Sequence, residues 1–178
     1  MTPEMAWYPL RVTYSREMKF KAYLDALGIE NFIPLHYVQP EGSGAKRKLV
    51  PVVHNLIFVR AAQATVQSLK RTSPFADQIR YIMSLTERRP LTIPPKQMRD
   101  FIAVAGTYEE QLLYLPADEV RLQAGDRVRI TGGIWAGVEG HLLRVKGDCR
   151  VVVEIRGFMA VATAALHPSL VEKIPEKK

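Results

Sequence analysis

The order of hydrophobic and polar positions predicts alternating strands and helices in the first hundred residues. Residues 6–14 are apolar and partly aromatic, which predicts a strand, and Pro9 indicates that this strand lies at an edge or ends early. Residues 16–27 place apolar side chains at roughly helical spacing. Ser15 before them is a good N-cap and Gly28 after them a good C-cap residue, so this segment is predicted to be a helix.

The remaining segments of this region complete an α+β pattern. The predicted elements are a strand at 29–38, two strands or one bulged strand around His54-Asn55 within 49–59, a helix from 64–70, a strand at 79–85 and a helix at 96–105 opened by Pro94-Pro95. Strands and helices in this order are typical of a split βαβ-type α+β sandwich with an antiparallel sheet.

The last part of the chain has a different, all-β pattern. Residues 125–130 alternate polar and apolar side chains, which is the period of a strand. Further strands are predicted at 138–146, 150–155, 158–163 and 170–174, several of them separated by glycine-containing turns. Short strands joined by such turns within about 55 residues predict a small β-barrel.

Charge divides the chain into the same two parts. The 178 residues hold 25 Lys and Arg against 18 Asp and Glu, a net charge of +7, which favours a polyanionic partner. Residues 101–119 carry four acidic side chains and no basic one, with glycine and proline among them. We therefore predict a first domain at 1–106, a linker at 107–119 and a second domain at 120–178.

Several classes of function lack their required residues. The single cysteine, Cys149, excludes an intramolecular disulfide and a cysteine-based zinc site. The four histidines are scattered, and no phosphate-binding glycine loop follows a strand. No apolar run reaches the ~18–20 residues of a membrane span, and residues 1–5 do not begin a signal peptide. We predict a cytoplasmic protein that is not an enzyme, with no cofactor, metal site or membrane partner.

Two motifs in the two predicted domains resemble those of one protein family. Residues 125–140, GDRVRITGGIWAGVEG, resemble the KOW motif of transcription factors and ribosomal proteins. Trp7-Tyr8, Ile33-Pro34 and a basic loop before residues 52–59 follow a layout similar to the NGN domain of the NusG family of transcription elongation factors. The first-domain layout and the KOW motif, with the acidic linker between them, cover nearly the whole chain. The string Asn55-Leu-Ile-Phe-Val is similar to specialised paralogues of the RfaH and UpxY type.

The resemblance implies a factor that binds RNA polymerase. In the family, an apolar groove on the NGN domain holds the clamp helices of the largest subunit, which promotes processive transcription and, in the specialised paralogues, serves particular long operons. Carried over by position, the groove residues are Trp7, Val53, Leu56 and Met98. The alternative is that Trp7, Leu56 and Met98 are core residues; it is favoured for Trp7, whereas the resemblance favours the groove for Leu56 and Met98.

The resemblance also implies nucleic-acid and further protein partners. The basic candidates for the non-template DNA strand or nascent RNA are Arg11, Arg16, Lys19, Lys70 and Arg71, with a solvated charged face as the alternative. In the KOW domain, Arg156 replaces the aromatic residue that helps the housekeeping factor bind Rho and a ribosomal small-subunit protein. Phe158 takes that role if it is exposed and is a core residue if it points inward, so we expect weak or absent binding of both partners.

One alternative class of function fits part of the same pattern. A KOW-containing ribosomal or other RNA-binding protein would also have a basic charge and a small barrel. The layout of the first domain does not fit that class, and therefore we favour the transcription factor.

Overall fold

A computed structural model describes residues 2–42, 44–116, 118–119, 125–145, 147–155 and 157–176. Two compact units divide the chain: Met1–Pro34 with Pro51–Pro95, and Leu35–Val50 with Lys96–Lys178. The strands, in chain order, are β1 (Met5–Val12), β2 (Asn31–Phe32), β3 (Leu35–Val38), β4 (Lys48–Pro51), β5 (Leu56–Ala62), β6 (Ile79–Tyr81), β7 (Leu113–Pro116), β8 (Arg127–Ile130), β9 (Glu139–Val145), β10 (Asp148–Ile155), β11 (Met159–Ala162) and β12 (Val171–Lys173). The helices are α1 (Glu17–Ala26), α2 (Gln63–Thr72) and α3 (Pro95–Ala105), with 3-10 turns at Ala76–Gln78 and Pro168–Leu170.

The first unit is built on a four-stranded antiparallel sheet in the order β2-β5-β1-β6. Pro9 lies within β1, between two neighbouring strands, so the prediction of an edge or strand end at Pro9 is wrong. The carbonyl of Trp7 accepts from the amide of Ile93, whereas β6 pairs with β1 only from Leu10 onward. Alternate residues of a strand turn their backbone groups to the same edge. The backbone of Pro9 therefore faces the same edge of β1 as that of Trp7, between the contact with Ile93 and the start of the pairing with β6. Pro9 has no N–H to donate at this position.

The ends of α1 differ in part from the expectation. Arg16 is the N-cap residue and makes no side-chain capping bond, so the prediction of Ser15 as the cap is wrong. Ser15 has a left-handed φ of 50°, and its amide instead donates to Oδ1 of Asn55 at 2.9 Å. Gly28 follows the helix with a φ of 68°, as a glycine at that position commonly does.

Two predicted strands are shorter or divided. The strand predicted at 29–38 is interrupted at Ile33-Pro34, and its halves β2 and β3 belong to different sheets. The strand predicted at 79–85 ends at Tyr81. Around His54-Asn55 the structure has two strands, β4 and β5, which was one of the two predicted alternatives.

The second unit contains a six-stranded antiparallel sheet in the order β12-β8-β9-β10-β11-β7. Its five C-terminal strands lie where the alternation and the turns predict them. Close packing of β9 on β10 requires Gly140, because a Cβ there would lie 2.2 Å from the carbonyl oxygen of Val152. Gly137, with a φ of 89°, forms the turn before β9.

Strand β7 lies inside the segment predicted to be a linker. Leu113–Pro116 pairs with β11, and Leu113 and Leu115 pack against the buried residues Leu143 and Ala162. The predicted boundaries at 106 and 120 stay a prediction. The fold class is confirmed as α+β, with an antiparallel sheet and helices followed by a small, barrel-like β domain.

Candidate functional site

A short loop between β4 and β5 presents an apolar side chain to solvent. Val53 is 40% exposed, so a large part of its aliphatic side chain faces solvent. The backbone on both sides of Val53 is held: the amide of Val52 donates to the carbonyl of Pro34, and the carbonyl of Asn55 accepts from the amide of Val12, both at 2.9 Å. The loop is therefore a preorganised surface feature of the first unit.

Asn55 fixes the sharp turn of this loop. Its φ is 64°, in the left-handed region that asparagine tolerates better than most residues. Its side-chain oxygen accepts from the amide of Ser15, just before α1. At the start of α1, the carboxylate of Glu17 is 2% exposed and lies 4.0 Å from Nδ1 of His54. The sequence pattern singled out neither Asn55 nor Glu17 as a site residue, because their roles depend on contacts between distant segments.

The other three predicted groove residues are buried. Trp7 is 5% exposed, Leu56 3% and Met98 0%. The expectation that Leu56 and Met98 form an exposed apolar surface is therefore corrected: among the four candidates only Val53 presents a substantial apolar surface. The reason lies in position, since Leu56 is the first residue of β5 and Met98 lies on the buried side of α3.

The predicted basic residues do not share one surface. Arg11 lies opposite Leu56 in the β1–β5 ladder, whereas Tyr81 lies opposite Leu10 in the β1–β6 ladder. Because neighbouring strand residues point to opposite faces, Arg11 and Tyr81 are on different faces of the sheet. Lys70 Nζ lies 4.3 Å from the centroid of the Tyr81 ring. Arg11 and Lys70 are thus separated by the sheet.

The other basic candidates lie in α1 and α2 or, for Arg16, directly before α1. The ring of Phe20 in α1 lies 5.3 Å from that of Phe75, just beyond α2. Arg16, Lys19 and Arg71 are exposed and Lys70 is half-buried. On the same face of the sheet as Lys70, the Tyr8 and Tyr81 rings lie 5.9 Å apart. Burial raises the pKa of both phenols, so both are neutral over the physiological range.

Phe158 lies in the loop between β10 and β11, not in a strand. Ile155 pairs with Met159, the amide of Phe158 donates to the carbonyl of Ile155, and Gly157 has a φ of 76°. Strand alternation therefore does not determine the direction of the side chain, which is half-buried. Arg156, the residue in the position of the family's aromatic, is outside the described residues.

The described residues contain neither a candidate metal site nor a candidate membrane-spanning helix. No group of three or more His, Cys, Asp or Glu side chains there is arranged to hold a metal ion. No helix in that part of the chain is both long and apolar enough to cross a membrane.

Comparison with protein families gives a match to the first part of the chain. A family model, NusG, described as transcription termination factor nusG, matches residues 5–102, which is more than half of the chain. The match covers the first sheet, α1, α2 and most of α3, and so includes the Val53 loop. A search of curated proteins gives no match.

Proposed function

Since the chain belongs to the NusG family of transcription factors, we propose that it is an elongation and antitermination factor that binds the RNA polymerase clamp helices through the loop containing Val53. Proteins of this family generally bind RNA polymerase and are not enzymes. The observation that supports the proposed contact is the exposed aliphatic side chain on a hydrogen-bonded loop, since a rigid apolar residue binds a partner with little loss of entropy.

In this proposal the buried side chain of Leu56 supports the loop that makes the contact. Leu56 follows the loop directly, and the register places it in the sheet interior beside β1. The larger aromatics that the family usually has at Val53 and Leu56 are absent here, so the apolar contact area is smaller. We propose that neighbouring polar or charged groups contribute more of the affinity for this reason.

We propose a nucleic-acid surface on α1 and the end of α2, formed by Arg16, Lys19, Lys70 and Arg71. Arg16 precedes α1, Lys19 lies in α1, and Lys70 and Arg71 lie in the last turn of α2. Phe20 of α1 contacts Phe75, which lies three residues beyond α2, and the nearby Tyr81 ring is half-buried. Its ligand would be the non-template DNA strand or the nascent RNA in the elongation complex. Arg11 lies on the opposite face of the sheet from Lys70 and is outside this proposed surface.

The remaining parts of the proposal concern regulation. The likeness of residues 55–59 to specialised paralogues supports action on particular long operons, in the cytoplasm where the polymerase acts. The half-buried Phe158 offers a limited apolar area, and therefore we propose weak or absent binding of Rho and of the ribosomal small-subunit protein by the C-terminal domain.

The proposed polymerase contact is tested with Val53→Asp in the full chain. A carboxylate that loses water in an apolar contact weakens binding, and we expect the affinity for core RNA polymerase to fall at least about 30-fold. Readthrough of a long template in a purified transcription assay should fall in parallel. Ile134→Asp is the matched control, because Ile134 is 72% exposed and lies in the second unit.

Two outcomes would contradict the proposal. If Val53→Asp binds core polymerase as the native chain does, the loop is not the contact. If the native chain, after nuclease treatment of a lysate, is retained with ribosomal subunits and not with polymerase, the alternative as a ribosomal or other RNA-binding protein is favoured.

A further inference from the structure

Two arginines of the first sheet lie directly opposite each other. In the β1–β6 ladder Arg11 is the partner of Arg80, and both side chains are exposed. Directly opposed residues share a face, with Cβ atoms about 4.5–5.5 Å apart, and like charges in this arrangement repel. Such a pair lowers the stability of the sheet unless an anion lies between the two guanidinium groups.

Within the described residues, neither arginine has a carboxylate partner. Nη1 of Arg80 donates to the carbonyl of Ile79 at 2.9 Å, which leaves its charge uncompensated. By contrast, Arg60 on the same face forms an ion pair with Glu30, its Nη1 3.0 Å from Oε2. Ion pairing is therefore available to arginines of this face but is not used at Arg11 and Arg80.

The pair adjoins the Val53 loop. Leu56 is the partner of Arg11 on its other side, so Arg80, Arg11 and Leu56 form one row across three strands. The carbonyl of Trp7 faces the edge of β1 on which β6 lies, and the backbone groups of Arg11, four residues later, face the same edge. Arg11 and Leu56, on the other side of β1, are therefore a non-hydrogen-bonded pair, whose side chains are closely spaced. Val53 lies three residues before Leu56, in the loop that leads directly into this row.

We propose that Arg11 and Arg80 form a binding site for an acidic side chain of RNA polymerase, next to the apolar contact at Val53. This proposal rests on the proposed function and names the charge of its partner surface. Two guanidinium groups side by side match the two oxygens of an Asp or Glu carboxylate. Such a carboxylate bonds to both guanidinium groups and reduces the repulsion between them, which no acidic residue of the described chain does.

The surroundings favour a protein carboxylate over a nucleic acid. Binding of single strands combines cations with exposed rings on which bases stack. The aromatic side chains of this face in β1 and β5 are Trp7 and Phe58, which are 5% and 0% exposed. The loop that leads into Leu56 carries the exposed aliphatic side chain of Val53. In β1 and β5 this face therefore offers no exposed ring on which a base could stack, which favours a protein carboxylate as the ligand.

The test uses the full chain and core RNA polymerase without nucleic acid. For the double variant Arg11→Gln/Arg80→Gln we expect affinity to fall about 10-fold at low ionic strength, with a smaller difference at high salt. Arg60→Gln is the matched control and should bind as the native chain does. Arg11→Lys/Arg80→Lys keeps the charge and should retain most of the salt dependence.

Thermal unfolding of the same variants separates binding from folding. Because the repulsion between the two arginines is removed, the melting temperature of Arg11→Gln/Arg80→Gln should equal or exceed that of the native chain. A lower melting temperature together with weaker binding would assign the pair a structural role and overturn the site.

The remaining outcomes distinguish this proposal from the one on which it rests. If Val53→Asp loses polymerase binding and the arginine variant does not, the acidic contact is wrong and the polymerase contact stands. If neither variant changes binding, the polymerase contact at this face is wrong as well. If the arginine variant binds single-stranded DNA more weakly but core polymerase normally, the pair is a nucleic-acid site.

Discussion

At the scale of single residues, exposure changes sharply between the loop before β5 and the first residue of that strand. Val53 is 40% exposed and Leu56 is 3% exposed, although both are aliphatic and both fit the apolar pattern of the segment. The turn at Asn55 causes this change, because its left-handed backbone redirects the chain into the sheet. A substitution at Val53 therefore tests binding, whereas one at Leu56 tests folding.

We predict that Leu56→Asp destabilises the protein by about 4 kcal/mol or more. The substitution removes a buried side chain and places a carboxylate without a partner in an apolar interior. Urea unfolding followed by circular dichroism measures the loss. Leu56→Met, which conserves volume, should cost less than about 1.5 kcal/mol. A Leu56→Asp protein as stable as the native chain would contradict the burial of this side chain.

At the scale of secondary-structure elements, Glu139 of β9 is the centre of an ion-pair network that joins this strand to β8, α3 and β12. Its carboxylate lies 2.9 Å from Nη2 of Arg129 in β8, 2.7 Å from Nη2 of Arg127 and 3.0 Å from Nζ of Lys96 in α3. Arg129 also pairs with Glu172 in β12 at 3.1 Å. Hydrogen bonding by Arg129, with contributions from Lys96 and Arg127, lowers the pKa of Glu139 from 4.5 to about 2 against the opposing effect of burial.

The lowered pKa of Glu139 makes the stability of the fold depend on pH, and the direction of the effect follows from the lowering. A carboxyl whose pKa is lower in the folded state stabilises the fold above its unfolded pKa, and the contribution is lost as the carboxyl is protonated. The contribution of Glu139 is therefore complete above pH 4.5 and lost as the pH falls toward about 2.

We predict that Glu139→Gln lowers the free energy of unfolding by about 1–3 kcal/mol at neutral pH and by much less near pH 2. Urea unfolding at a series of pH values measures both effects. Glu172→Gln is the control: its side chain is 51% exposed and, among the described residues, is paired with Arg129, so its loss should cost under about 1 kcal/mol. Equal stability of Glu139→Gln and the native chain at pH 7 would show that the network does not stabilise the fold.

At the scale of the whole molecule, the segment between the two predicted domains is part of the second sheet. Strand β7 covers the edge of β11, and Arg150 in β10 donates through Nη1 to the carbonyl of Gln111 at 2.7 Å. The same Nη1 also bonds to the carbonyl of Thr163 at 2.8 Å. Residues 111–116 are thus tied to the sheet by backbone pairing, a charged side chain and apolar packing.

We predict that a fragment of residues 107–178 is more stable than one of residues 120–178 by about 2–4 kcal/mol. The shorter fragment loses the packing of Leu113 and Leu115 and exposes the edge of β11. Urea unfolding of the two fragments gives the difference, and size-exclusion chromatography should show more self-association of the shorter one. Identical stabilities would support the predicted linker as a simple connection between domains.

The sequence by itself determined the features whose causes lie within a few neighbouring residues. Proline at the first turn predicted α3, and alternation predicted β8, in which Val128 and Ile130 are buried. Glycine positions predicted the turns of the second sheet. These signals are local because backbone sterics and side-chain periodicity act over one or two turns of chain. They also sufficed to indicate the family.

Only the tertiary structure decided which distant residues share a surface. Arg11 and Arg80 become neighbours through the register of β1 with β6, and Leu56 is covered by the surrounding structure although its own segment resembles that of Val53. The sequence pattern predicts a linker where β7 lies, because a four-residue strand is recognisable only through its partner β11. Register and burial depend on the pairing of segments far apart in sequence, and no local pattern specifies which partner a strand takes.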